Sequence, residues 1–507
     1  TPRHTTTYDG SRHNGHRTAS NRNCANDTFR LVRGHTRVLE RPGERPAGYS
    51  PSTMVGDGGS SVNAGQVGDE AAGLENPVLN GPYDPPMRHF VIGPKGPTGA
   101  VNEGRRPSES FIPVAPVRKR GPREKTTAGM PSATSGDQLT LALVEETRQL
   151  NTLINELRQD VANWRGAGFP GTTATTAKLL RHWADPHREN RILFAQREAA
   201  ETAIFLAEVA GRTKGFRDRR AVIAEINATH NENIPRVALK MATGSGKTVV
   251  MAMLIAWQTL NKVASPGNAR YAKRFLIITP GITIRDRLRV LQPNDSGNYY
   301  DARGLVPDDL RGLLGKAQII VTNYHSFLLK DAKEIKGVSK TTRQILLAGK
   351  KVDPFKESEA AMVSRVLRGF GGGRQSGEIV VLNDEAHHCY MDKPITLEDS
   401  VEGVEQADTE DKQRNEEARV WFKGIRAIAE HVGVKAVYDL SATPFYLGGS
   451  GYKEGFIFPW TVSDFSLMDA IESGIVKAPR IPVDDDTDVD TVTFRSLWEL
   501  VGNALPK

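Results

Sequence analysis

Two stretches of this 507-residue chain combine residue types that can do chemistry. "VVLNDEAHHCY", Val380 to Tyr390, puts two carboxylates, two histidines and a cysteine at the end of an apolar run. Asp384, Glu385, His387, His388 and Cys389 are all able to bind a metal ion. "ATGSGKT", Ala242 to Thr248, is glycine-rich and ends in Lys-Thr. Gly244 and Gly246 let backbone N–H groups converge on phosphates, and Thr243 and Ser245 complete the loop. Lys247 would reach the β- and γ-phosphates, and the Thr248 hydroxyl would ligate Mg²⁺. The first position of the full G-x-x-x-x-G-K-[ST] pattern is Met241 here instead of glycine.

The acidic stretch reads differently once the loop is in view. Adjacent His387, His388 and Cys389 diverge, and the i, i+4 histidine spacing of a helical zinc site is absent. A nucleotide site instead needs a strand-end aspartate for the metal and a base for the attacking water. Asp384 fits the first role and Glu385 the second, 137 residues after Lys247. His387 would link this site to a neighbouring strand or lobe by hydrogen bonding. "DLSATPF" ends a further apolar run, with Ser441, Ala442 and Thr443 following Asp439.

These residues must be carried by a scaffold. After Pro235 the runs "RVALKMA", "RFLIITP", "QIIVTNY", "EIVVLNDE" and "VKAVYDLSATP" alternate with helical or loop segments. Short β-branched runs in that order predict an α/β fold, a mainly parallel sheet with helices on both faces. Chemistry in such sheets gathers beyond the carboxyl ends of the strands, where every motif above lies.

In this order, "ATGSGKT", "NDEAH" and "SATP" resemble motifs I, II and III of superfamily 2 DEAD/DEAH-box helicases and translocases. More narrowly, "ALKMATGSGKTVVMAMLIAWQTLNK", "ITPGITIRDRLRVLQPND" and "GEIVVLNDEAHHCY" resemble the helicase-like restriction subunit of type III restriction enzymes. The resemblance runs from about residue 75 onward and is strongest over 236–486. It implies a RecA-like P-loop lobe that hydrolyses ATP with Mg²⁺ and moves on duplex DNA. A methyltransferase (modification) subunit is the implied protein partner. It further implies that Gln196 in "FAQREAAET" reads the adenine edge and that Ser441 and Thr443 couple the nucleotide to motion. Thr279 and Arg285 in "TPGITIRDRL", with Thr322 and Asn323 in "TNYHSF", would contact the nucleic-acid backbone. DNA-repair or RNA helicases of the same superfamily, and a non-catalytic nucleotide-binding fragment, are the competing readings.

Such motors use two lobes, the second supplying an arginine finger. No Q-x-x-G-R-x-x-R-like segment follows "SATP". The chain is therefore expected to be truncated after its first lobe, and to bind ATP but hydrolyse it slowly. No endonuclease domain is evident. A loose pattern of Pro307, Asp308, Glu334 and Lys336 is split by "QIIVTNY" and reads as coincidence.

Composition bounds the rest. Residues 1–130 hold 18 Lys and Arg against 12 Asp and Glu, so +6 of the overall +7 sits there. That charge belongs to a tail instead of a groove. Two cysteines far apart exclude a disulfide framework, fit a reducing cytoplasm and, with no apolar run long enough for a membrane span, point away from a membrane protein. Residues 1–74 are too polar to offset ordering entropy and are expected to be a disordered tail. Residues 75–135 read as irregular, Pro-rich structure with one or two strands. Residues 136–233 read as a helical region: one helix capped by Asp137, with Leu143, Leu150, Ile154, Leu157 and Val161 on one face, and a second from Ile192 to Ala210 carrying Gln196. The lobe spans 234–474, and 475–507 forms an acidic linker leading toward a second lobe.

Overall fold

The computed structural model describes residues 76–93, 96–113, 146–330, 357–370, 379–391, 409–447, 450–452 and 454–477. The tail 1–74, the Asp137 cap, Leu143 and the acidic run after residue 482 lie outside the described residues.

Three short strands lead in: β1 (Arg88–Gly93), β2 (Gly96–Glu103) and β3 (Glu109–Pro113). β1 and β2 form an antiparallel pair, and β3 pairs antiparallel with β4 (Glu146–Leu150). The β4 assignment corrects the sequence reading, which put residues 146–150 inside a helix. Asn151 explains the break. Its N–H donates to the Ser108 carbonyl at 3.0 Å and its side-chain amide to Ser108 Oγ at 2.9 Å, tying the chain to β3. Leu150, expected on the packed face, is 59% exposed. Helix α1 (Thr152–Gly166) starts only after this tie, and there Ile154, Leu157, Val161 and Trp164 are buried at helical spacing.

Helices α2 (Ala174–Ala184) and α3 (Phe194–Ile204) follow. α3 runs on into a π-helical turn, Phe205–Val209, and α4 (Arg219–His230) comes next. The five apolar runs then become β5 (Arg236–Met241), β6 (Arg274–Thr279), β7 (Gln318–Asn323), β8 (Ile379–Asp384) and β9 (Val434–Ser441). A strand the sequence reading passed over, β10 (Thr461–Phe465), joins them. The order is β10-β5-β9-β8-β6-β7, and every pairing is parallel.

Period-2 geometry sends alternate residues to opposite faces. Phe275 and Ile277 of β6, with Val380 and Leu382 of β8, join the core under α5 (Lys247–Ala264). Leu276 and Ile278, with Ile379 and Val381, face α6 (Glu359–Val366) and α7 (Thr409–His431). β6 and β8 are buried along their whole length. Burial on both sides is what a parallel sheet requires.

β10 lies at the sheet edge, and polar side chains finish that edge. Asp464 accepts from Lys240 Nζ and from Ser108 Oγ, both at 2.6 Å. Its carbonyl accepts from the guanidinium groups of Arg105 and Arg158. The leading strands and α1 therefore pack on the lobe through β10. α8 (Leu467–Glu472) follows, capped reciprocally by Ser466 and Asp469.

Two charges are fully buried within the sheet. Arg236 is 1% exposed and Asp439 0%, with Arg236 Nε 2.5 Å from Asp439 Oδ2. Arg236 also donates to the Asn231 side chain at 3.2 Å and to the Cys389 carbonyl at 2.6 Å. Asp439 takes further bonds from Asn383 at 2.7 Å and from Trp460 Nε1 at 2.8 Å. Removing one partner strands the other charge in the core. Asp439→Ala is expected to lower stability by roughly 3–5 kcal/mol, read as a fall in the urea midpoint at constant slope. A loss below about 1 kcal/mol would show the pair to be dispensable.

Candidate nucleotide site

The carboxyl ends of β5, β8 and β9 meet on one edge of the sheet. β9 lies between the other two, so the loop after β5 and the acids after β8 face each other across a single strand. The loop is anchored at its start, where the Ala242 N–H donates to the Phe465 carbonyl at 2.9 Å. Ser245 Oγ folds back onto the Ala242 carbonyl at 2.6 Å, while Thr243 and Gly244 stay exposed. Gly244 and Gly246 have φ of 86° and 93°, the left-handed region that glycine enters freely. Gly246 leads directly into α5, and no side chain caps that helix. Its first N–H groups are left to an anion.

The left-handed φ of Gly246 already disfavours a side chain there, and Gln196 crowds the position further. A Cβ there would lie 2.2 Å from Gln196 Nε2. The Gln196 amide is 5% exposed, donates to the Ser245 carbonyl at 3.0 Å and accepts from the Leu193 N–H at 3.2 Å. The residue expected at the adenine therefore also braces the phosphate loop. One amide hydrogen and one lone pair of Gln196 remain for a base.

Lys247 Nζ is 2.8 Å from Glu385 Oε1. Glu385 has φ 52° and ψ 50°, a left-handed conformation that costs a non-glycine residue roughly 1–2 kcal/mol. That turn aims its carboxylate at the loop. Asp384, the last residue of β8, is 8% exposed. Burial, reinforced by the neighbouring Glu385 charge and opposed by Lys247, pushes its carboxyl up to about 6. Two carboxylates beside a single ammonium, one of them poorly solvated, suit an additional cation. With Thr248 at the start of α5, Asp384 and Thr248 are the residues that would hold Mg²⁺.

His387 Nδ1 lies 3.0 Å from Ser441 Oγ, which also accepts from the Thr443 N–H at 3.1 Å. The acidic turn and the Ser-Ala-Thr turn are thus joined directly. Burial first, then the neighbouring His388, pushes His387 down to about 4, so the ring is neutral at pH 7. The Thr443 side chain is exposed. Cys389 is fully buried, and burial pushes its thiol up to about 12. Among the described residues no group of three or more His, Cys, Asp or Glu is placed to hold a metal ion.

The residues expected at nucleic acid sit at the ends of β6 and β7 and make local bonds. Thr279 is fully buried, and its hydroxyl donates to the Gly281 carbonyl at 3.0 Å. Thr322 Oγ1 and Asn323 Oδ1 are bonded to Ser326 Oγ at 2.7 and 3.3 Å, closing the turn Tyr324–Phe327. The Arg285 side chain lies outside the described residues.

Sequence reasoning missed the support beneath the acids. Asn383 is held by Asp439 and by Trp421 Nε1 at 3.2 Å, and the Cys389 carbonyl is held by Arg236. The acidic turn is therefore pinned at both ends by one buried network. The available signal was a charge inside each of two apolar strands, "RVALKM" and "VKAVYDLS". A buried charge demands a partner.

Asp384 yields a prediction for the chain without nucleotide or metal. Its folded value lies above the ordinary 3.8, so the ionised form is disfavoured on folding. That cost is present above about pH 6 and fades as pH falls toward 4. Asp384→Asn is expected to be more stable than wild type by roughly 1–3 kcal/mol at pH 7.5, with the difference vanishing near pH 4. Thermal unfolding across that range measures it, and a destabilised variant at pH 7.5 would contradict it.

Residues 195–446 match the family described as type III restriction enzyme, res subunit. No match was found among curated proteins. The matched segment begins one residue before Gln196 and ends beyond the Ser-Ala-Thr turn, so it spans both halves of the site. On that match, joined to a parallel sheet of RecA-like form, the 195–446 segment of this chain is similar to the helicase-like type III restriction enzyme res subunit family.

Proposed function

We propose that this chain is the ATP-hydrolysing motor module of a type III-like restriction system, acting on duplex DNA in the cytoplasm alongside a methyltransferase partner. The observation that carries the reading is the 2.8 Å contact between Lys247 and Glu385, across the strand that separates the phosphate loop from the acids. Without nucleotide the two charges satisfy each other. A triphosphate seated on Gly244 to Thr248 offers Lys247 stronger anions. Glu385 is then freed to take a proton from the attacking water. Thr248 and Asp384 would hold Mg²⁺ together with the nucleotide, and the ion would supply neutralisation of phosphate charge. Gln196 orients the base while bracing the loop. The neutral His387 passes movement of the acidic turn to Ser441, and through the Thr443 N–H to the segment that follows. Thr279, Arg285, Thr322 and Asn323, at the ends of β6 and β7, are the proposed nucleic-acid side of the edge.

ATP binding and hydrolysis are measured with duplex DNA, single-stranded DNA and RNA. Lys247→Ala is expected to weaken ATP binding by about tenfold or more. Glu385→Gln is expected to keep binding and lower turnover by about 10²–10⁴. Duplex DNA should stimulate most. Stimulation by RNA alone would favour an RNA helicase, and ATP binding with no turnover under any condition would leave a binding module.

A further inference from the structure

At the amino ends of β5 and β9, away from the phosphate loop, lies a cavity of about 410 Å³. The six residues of β5 separate it from the loop by roughly 20 Å. Its floor is apolar: Leu206 and Ala207 of the π-helical turn, Ile223 of α4, Val237 of β5 and Ala436 of β9. π-helical turns are rare and are frequently found at functional sites. The rim is cationic, formed by Arg212, Arg220 and Lys435.

These charges are poorly matched. Arg220 pairs with Asp218 at 3.1 Å. Lys435 makes no ion pair among the described residues, and Arg212 donates only to the Ala207 carbonyl among them. Arg270 adds a further cation, stacked over Tyr271 at 5.9 Å. Burial, then the charges of Arg270 and Arg220, hold the Arg212 guanidinium below its ordinary value. Of the three rim cations only Arg220 has a carboxylate partner among the described residues, Asp218. Like charges gathered in this way repel unless an anion joins them. The cavity volume falls in the range of small-molecule sites, where an apolar wall takes the body of a ligand and a few polar groups fix its orientation.

We propose that this cavity binds a small organic anion, its aromatic or aliphatic body on Leu206, Ile223 and Val237 and its phosphate or carboxylate at Arg212, Arg220 and Lys435. The site is separate from the nucleotide site and shares no lining residue with the phosphate loop.

The test titrates the full chain with 1-naphthyl phosphate, 1-naphthoate, 1-naphthol and inorganic phosphate by calorimetry. At least one naphthyl anion is expected to bind saturably, about tenfold or more tighter than naphthol or phosphate alone. The better of the two anions identifies the headgroup. The double variant Arg212→Ala/Lys435→Ala should weaken that binding by about tenfold or more, while Lys247→Ala leaves it within about twofold. Ala207→Phe, which fills the cavity and keeps the charges, should weaken binding similarly and guards against an effect of altered surface charge alone. Circular dichroism and a thermal melt establish that each variant is folded. Absence of saturable binding by either anion overturns the proposal. So does binding that survives the double variant or that disappears with Lys247→Ala, which would place the anion on the phosphate loop.

Discussion

The buried pair of Arg236 and Asp439 is the contact on which the nucleotide edge of the sheet depends. Taking both charges out of water is expensive, and a pair of this kind is tolerated only when every hydrogen-bonding position is filled. Here Arg236 spends its donors on Asp439, Asn231 and Cys389, and Asp439 takes Asn383 and Trp460 as well. The pair therefore ties the first residue of β5 to the strand beside it and to both ends of the acidic turn. Trp460 stacks over the guanidinium at 4.8 Å and brings in the segment that precedes β10. These bonds hold two strands, a turn and an edge segment in a single register.

The site resting on that network departs from local preference at each functional position. Glu385 is left-handed, Asp384 is ionised in a place that disfavours ionisation, and Gly246 holds a left-handed φ crowded by Gln196. Each departure costs stability and none improves packing. Their shared consequence is that Lys247, Asp384 and Glu385 converge on a small volume at the end of the sheet. Strain of this kind persists only where the surrounding structure over-determines it. The Arg236–Asp439 network below and the Gln196 brace above supply that determination.

Much of the lobe was legible because its strands are short, β-branched and apolar on both faces. All five runs read from the sequence became strands of one parallel sheet. What escaped was whatever polar residues disguised. β10, "TVSDF", carries Ser463 and Asp464, and it becomes a buried strand only because Lys240 and Ser108 satisfy that aspartate. The helix pattern ahead of α1 misled for the opposite reason. Leu150 kept the period, but the bonds of Asn151 to Ser108 committed the chain to β3.

By itself the sequence determined the strand and helix types of the lobe, the phosphate loop and the acids at a strand end. These follow from local rules: side-chain period, glycine at positive φ, and carboxylates placed where a strand stops. Tertiary structure decided which strands became neighbours, and so decided that Lys247 meets Glu385 and His387 meets Ser441. It also decided that Arg236, Asp439, Asn383 and Trp460, spread over 225 positions of the chain, form one unit. No local pattern encodes that pairing. It arises from the cost of burying a charge, which is settled only when the partner strand arrives beside it.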